Sequence, residues 1–161
     1  MDIGELLWAF ALSAVPLSEL RLSLPLAIVR YDILWYWALP ICFLGNLVPV
    51  PFILLFLDRV SEQLRKVGIL DRILDWVFER TRRKGSIVEK YGAPGLVLLV
   101  AIPLPGTGAW TGSIAAFLLG LSFKRAFPAI ALGVLIAGMI VTTLSVLGLE
   151  VWWLFFTPDI D

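Results

Sequence analysis

The chain has 161 residues, of which 60% are hydrophobic and only 16% charged, with 13 basic and 13 acidic side chains and a mean hydropathy of +0.92. A soluble domain of this length needs a polar shell that such a composition does not supply, whereas lipid is a solvent that tolerates it. Zero net charge argues against a nucleic-acid partner. The absence of histidine and the single Cys42 argue against an imidazole or thiolate metal site, an intrachain disulfide and the commonest neutral-pH base.

In chain order, the first apolar stretch runs from about Leu6 to Val29 and contains Pro16, Glu19, Arg21 and Pro25. It follows the acidic start Met1-Asp2-Ile3-Gly4-Glu5, which does not read as a cleavable signal because that needs basic residues. The second stretch, Ile33 to Leu57, has 25 residues without a charge and predicts one membrane-spanning helix. A charged island, 58–91, follows. The third stretch, Gly92 to Phe123, carries no charge in 32 residues. As one straight helix it would reach roughly 48 Å, too long for a hydrocarbon core of about 30 Å. Its middle, Ile102-Pro103-Leu104-Pro105-Gly106-Thr107-Gly108, breaks a helix: the prolines remove backbone donors and the glycines permit left-handed geometry. The fourth stretch, Ala126 to Leu149, predicts a second span.

The economical reading of stretches one and three is a re-entrant hairpin, broken around Pro16–Pro25 and around Pro103–Gly108; the alternative is a kinked single span at each place. The order, hairpin then span, occurs twice. Pro40-Ile-Cys-Phe-Leu-Gly45 aligns with Pro128-Ala-Ile-Ala-Leu-Gly133 at an offset of 88, and Pro16-Leu17 aligns with Pro103-Leu104 at 87. A unit that crosses once must be followed by its copy in the opposite orientation, so the expected fold is an all-α, integral-membrane, inverted repeat. Repeat 1 covers about 4–57, an amphipathic linker about 58–91, and repeat 2 about 92–150, all within one domain, 1–161.

The island holds nine Lys and Arg against six acids and is expected on the cytoplasmic side of the cell membrane. Lys124 and Arg125 then share that side, as a hairpin requires. Both termini, with Asp2, Glu5, Asp159 and Asp161, are expected outside, where Trp35, Tyr36, Trp37, Trp152 and Trp153 read as interface anchors. Within the island Val60, Leu64, Val67, Leu70, Leu74, Val77 and Phe78 recur at helical spacing, with Gly68 as a break. This helix lies either at the lipid interface or against the protein's own base.

Glu19 and Arg21 carry the most chemical information. A lone charge at bilayer depth costs at least about 2.5–3.5 kcal/mol, so each needs a partner or an aqueous cavity. They lie two apart, which in a helix points them to different faces, although the chain between Pro16 and Pro25 need not be helical. Either Arg21 anchors an anion while Glu19 titrates, or the pair is structural and satisfies backbone freed by the prolines. A half-helix starting near Thr107 would direct its positive end at the membrane centre and form an anion site. Gly108, Gly112, Ala116 and Gly120, and again Ala129, Gly133 and Ala137, form small-residue stripes that read as helix packing. Asn46 reads as helix–helix glue or as a ligand. The candidate substrate-binding set is Ser18, Glu19, Arg21, Ser23, Asn46, Pro103, Pro105, Gly106, Thr107, Gly108, Trp110 and Thr111.

Pro16-Leu-Ser-Glu19-Leu-Arg21-Leu-Ser-Leu-Pro25 resembles the P-x-x-E-x-R-x-x-x-P signature of the prokaryotic small multidrug export membrane protein family. Ile102 to Gly112 is similar to that family's second motif. The family in turn resembles the DedA/VTT superfamily, which implies two re-entrant hairpins and lipid scrambling or polyprenyl-phosphate recycling. Here Gly106-Thr107-Gly108-Ala109 stands where that superfamily has Gly-Val-Arg.

The leading expectation is a transporter, flippase or scramblase for an amphiphilic anion, a polyprenyl phosphate or phospholipid, with proton coupling through Glu19. A small-solute or drug exporter or channel is the alternative, and a non-transporting structural protein the third. An enzyme is not expected, because an acid/base pair is hard to assemble from these residues. No cofactor is expected. The expected partners are membrane lipids, lipid phosphate among them, and the stripes leave a homodimer open.

Overall fold

The computed structural model describes residues 3–16, 18–64, 66, 68–103 and 107–147, and among these there are helices and no strand. Helix α1 (Ile3–Ala14) is built of alanine, leucine and other good helix formers, with Glu5 in its first turn. It ends one residue before Val15-Pro16, because a residue preceding proline avoids the helical region. Helix α2 (Glu19–Pro25) follows, with Val15, Pro16 and Ser18 outside both helices. The expected break is therefore shorter than Pro16–Pro25, and Pro25 lies inside a helix. Its missing N–H removes one bond from the ladder, and the chain answers by widening into a π turn over Leu26–Arg30. Tyr31 N–H then reaches the Leu26 carbonyl at 3.1 Å.

Helices α3 (Trp35–Leu47) and α4 (Pro49–Leu64) meet at Val48. Pro49 and Pro51 fall in the first turn of α4, where their missing N–H groups cost little. Trp35–Leu57 forms an apolar run of 23 residues. The helix continues to Leu64, so the apolar–polar boundary near 57 is not a helix boundary. The island carries α5 (Gly68–Lys84), with Gly68 at its start, and α6 (Ser86–Tyr91). Helix α7 (Ala93–Ala101) ends at the expected second break, and α8 (Ala109–Leu118) restarts with Gly108 as its extended N-cap. Gly120 turns the chain at φ +67° after α8, so it leaves the expected small-residue stripe. Helix α9 (Phe123–Val146), with 24 residues, completes the described chain.

Trp35–Leu57 and Phe123–Val146 are the two described helical runs long and apolar enough to cross a bilayer. At about 1.5 Å per residue each exceeds a core of about 30 Å. Large apolar side chains face outward along them, among them Phe52, Leu55, Leu132, Leu135 and Met139. A surface of this kind suits lipid, and the protein is a membrane protein.

Packing inside is close. Helix α1 lies on α3, and α7 lies on α9; α2 is wedged among α1, α3 and α9, while α8 packs on α4, α5 and α9. Two glycines permit the first two contacts. A Cβ on Gly45 would strike the Phe10 carbonyl and sit 2.7 Å from Ser13 Oγ; a Cβ on Gly133 would sit 2.7 Å from Val100 Cβ. Between α1 and α3 the Ser13 hydroxyl also donates to the Cys42 carbonyl at 2.5 Å. The core between the layers holds Leu20, Leu24, Leu96, Val100, Ile130, Val134 and Val141. Both small-residue stripes, Gly108-Gly112-Ala116 and Ala129-Gly133-Ala137, are buried within this one chain. Their role here is to pack helices of one chain.

Helix α5 packs on α8, so this part of the island rests on the protein itself. Thr81 is buried there and Gly85 approaches Ala115. Its other face is exposed, with Arg80 stacked 5.2 Å from the Trp76 ring and Arg83 paired to Glu79 at 3.0 Å.

Candidate functional site

The two breaks meet. Glu19 opens α2 in a left-handed backbone conformation, φ +44°, which costs a non-glycine residue roughly 1–2 kcal/mol. Strained backbone of this kind persists where other contacts hold it, often at functional sites. Here the Glu19 carboxylate accepts the backbone N–H of Trp110, in the first turn of α8. It lies directly over Gly108, so closely that a Cβ at 108 would coincide with the carboxyl group. The indole Nε1 of Trp110 donates to the Ala14 carbonyl at 3.0 Å and ties α8 to the end of α1.

Arg21, two residues further along α2, lines the same cavity and reaches the carbonyls of the break. Its Nη2 donates to the Ile102 carbonyl at 3.1 Å, the Val100 carbonyl at 3.3 Å and the Thr107 carbonyl, gathering the groups freed where α7 ends. Each charge therefore sits at the helix end whose dipole it complements: the anion at the N-terminus of α8, the cation at the C-terminus of α7. Glu19 and Arg21 are 7% and 6% exposed. A hydrogen bond to a charged group contributes about 1.5–3 kcal/mol, similar to the insertion cost of each charge, so these charges are held without a ligand.

A cavity of about 10 Å³ lies beside them, lined by Glu19, Leu20, Arg21, Asn46, Val100, Gly108, Ala109, Val134 and Ala137. That is room for about one water molecule. Asn46, 3% exposed, contributes an amide oxygen that has no hydrogen-bond partner among the described residues. Its role as helix–helix glue is therefore not made through that oxygen.

Of the expected set, Glu19, Arg21, Asn46 and Gly108 share this cavity, and Thr107 and Trp110 bond to the pair across the break. The Thr107 hydroxyl itself donates to the Ile102 carbonyl at 3.0 Å. Pro103 is half-buried at the end of α7, and Thr111 half-buried in α8. Ser18 lies elsewhere, its hydroxyl donating to the Leu12 carbonyl at 2.5 Å and closing the end of α1. Ser23 is buried away from the cavity, beside Cys42. Pro105 and Gly106 lie outside the described residues, as do Trp152 and Trp153. The apolar lining, Leu20, Val100, Ala109, Val134 and Ala137, was missed by a search for polar residues. The repeat offset of 88 could have found part of it, since it pairs Leu20 with Gly108, Arg21 with Ala109 and Asn46 with Val134.

No curated protein and no solved structure matches the chain. The family model described as "Putative small multi-drug export protein" matches residues 19–140, about three quarters of the chain, starting at Glu19 itself and ending within α9. The chain belongs to that family.

Proposed function

We propose that the protein is a proton-linked membrane transporter of inverted-repeat design, which carries an amphiphilic anion such as a lipid phosphate. The observation that carries this reading is the clasp of Glu19 and Arg21 across the second break, over a cavity of one-water size. In this closed arrangement Glu19 fills the anion position at the N-terminus of α8. With Glu19 ionised, the pair is neutral. Protonating Glu19 weakens its hold on the α8 amide and leaves Arg21 as a net positive charge. An anionic headgroup can then take the place of the carboxylate, so proton and anion are taken up together.

Support for the inverted repeat comes from the same offset of 88. It maps 3–14 onto 91–102 against α7 (Ala93–Ala101), 19–30 onto 107–118 against α8 (Ala109–Leu118), and Trp35 onto Phe123, where α9 starts. Gly45 maps onto Gly133, and each lets a first-arm helix approach its span. In this reading the arms are re-entrant hairpins and the island faces the cytoplasm; the charge change at the clasp supports an anionic cargo, and the lipid phosphate is the form of it that we propose.

The test is binding of a short-chain prenyl phosphate to protein in nanodiscs over a range of pH. One coupled proton predicts affinity rising up to about tenfold per pH unit on acidification. Glu19→Gln should bind tightly without pH dependence, and Arg21→Ala weakly. Equal binding by all three proteins rejects the reading.

The family's description, small multi-drug export, favours a second reading, export of a drug-like solute; we take a lipophilic cation exchanged for the Glu19 proton as the form of it that this site would allow. In that case acidification weakens binding of a probe such as tetraphenylphosphonium, and Glu19→Gln abolishes it.

A further inference from the structure

Two residues with buried acceptors line the same small cavity. The ionised Glu19 carboxylate can only accept hydrogen bonds, and so can the Asn46 amide oxygen. Asn46 is on α3, against which α2 packs, so the two groups approach from adjoining helices. An acceptor buried without a donor is unfavourable, and in native structures such a group asks for an explanation. Adding a proton to Glu19 supplies a donor at this place.

We propose that Asn46 is the positioning residue for protonated Glu19: its amide oxygen accepts the carboxylic O–H, directly or through the one water that the cavity can hold. The inference rests on the proton-linked reading above. It adds where the neutral carboxyl goes. Ionised, Glu19 bonds to α8 of the second repeat; protonated, it turns to α3 of the first and frees the Trp110 amide for an anion. The proton moves only on and off the carboxyl oxygen, and no covalent bond to carbon changes. Among the described residues, Arg21 is the charged group beside Glu19, and Cys42 on α3 is the other buried titratable side chain packed against α2. Helices α7, α8 and α9 contribute Val100, Gly108, Ala109, Val134 and Ala137 to the lining, none of them titratable. Val134, opposite Asn46 at the repeat offset, has no acceptor, so the device is one-sided.

The experiment compares isosteres at position 46 in the full chain in liposomes. Asn46→Val removes the acceptor, and Asn46→Thr keeps a hydroxyl of the same shape. Carboxyl protonation is followed by infrared difference spectroscopy with labelled glutamate, the Glu19 band being the one lost in Glu19→Gln. Asn46→Val should lower the proton affinity of Glu19 about tenfold, moving its midpoint about one pH unit toward acid. Asn46→Thr should retain most of the wild-type midpoint. If the β-branched pair does not fold, Asn46→Ala and Asn46→Ser give the same contrast. A Glu19 midpoint that ignores the acceptor at 46 overturns the role of Asn46. A wild-type Glu19 that does not titrate overturns the proton-linked reading instead, so the two failures are distinct.

Discussion

Replacing Gly108 with alanine puts a methyl group where the Glu19 carboxyl group lies. The backbone itself permits the change, because Gly108 is extended, at φ −128° and ψ −158°. With nothing in the way, Gly→Ala at a compatible position stabilises by about 0.4–1 kcal/mol through the unfolded chain. With Glu19 present, the carboxylate must leave the Trp110 amide, losing a charged hydrogen bond of about 1.5–3 kcal/mol, or the helix ends must separate at an overpacking cost of about 1–3 kcal/mol. Gly108→Ala should therefore destabilise the wild-type protein by about 2 kcal/mol and be neutral or stabilising in a Glu19→Ala background. The coupling, about 2–3 kcal/mol, can be read from a double-mutant cycle of denaturant unfolding in detergent. Equal costs in both backgrounds would refute the contact on which the closed site depends.

Arg21→Ala should cost about 3–5 kcal/mol, because it removes the guanidinium bonds to the Val100, Ile102 and Thr107 carbonyls and leaves Glu19 uncompensated; unfolding midpoints check this, and a loss under 1 kcal/mol contradicts it. Gly45→Val and Gly133→Val should each cost about 1–3 kcal/mol by prising α1 from α3 and α7 from α9; if only one does so, the two contacts are not equivalent. In a Cys42→Ser background, cysteine at exposed position 72 should label with a membrane-impermeant maleimide only from the cytoplasmic face, and at exposed position 32 only from the other; labelling from a common side would reverse the proposed topology.

Much of the helical plan was legible because its signals are local. The two uncharged runs between 33 and 57 and after 125 need only length and composition to be read as spans, and α7 stops at Ala101 because Pro103 holds the residue before it, Ile102, in extended backbone. Proline was less reliable at the first break. Pro25 is as clear a breaker on paper as Pro103, yet α2 runs into it, since packing on α1, α3 and α9 holds the helix while a π turn absorbs the missing bond. Gly120 matched a stripe in spacing, but a left-handed turn uses it instead.

At the site, Glu19 and Arg21 were conspicuous in the sequence because charge is expensive in lipid, whatever the fold. Their partners were not, since no local rule relates residue 19 to the amide of 110 or residue 21 to the carbonyls of 100, 102 and 107. The sequence by itself determined that this is a membrane protein with two broken helical segments and two buried charges, because hydropathy, proline chemistry and charge cost act over a few residues. Only the tertiary structure decided that each charge closes a helix end of the other half, and that Asn46 presents an unbonded acceptor beside them. Those contacts span 79 to 91 residues of chain, and packing alone brings them within hydrogen-bond reach.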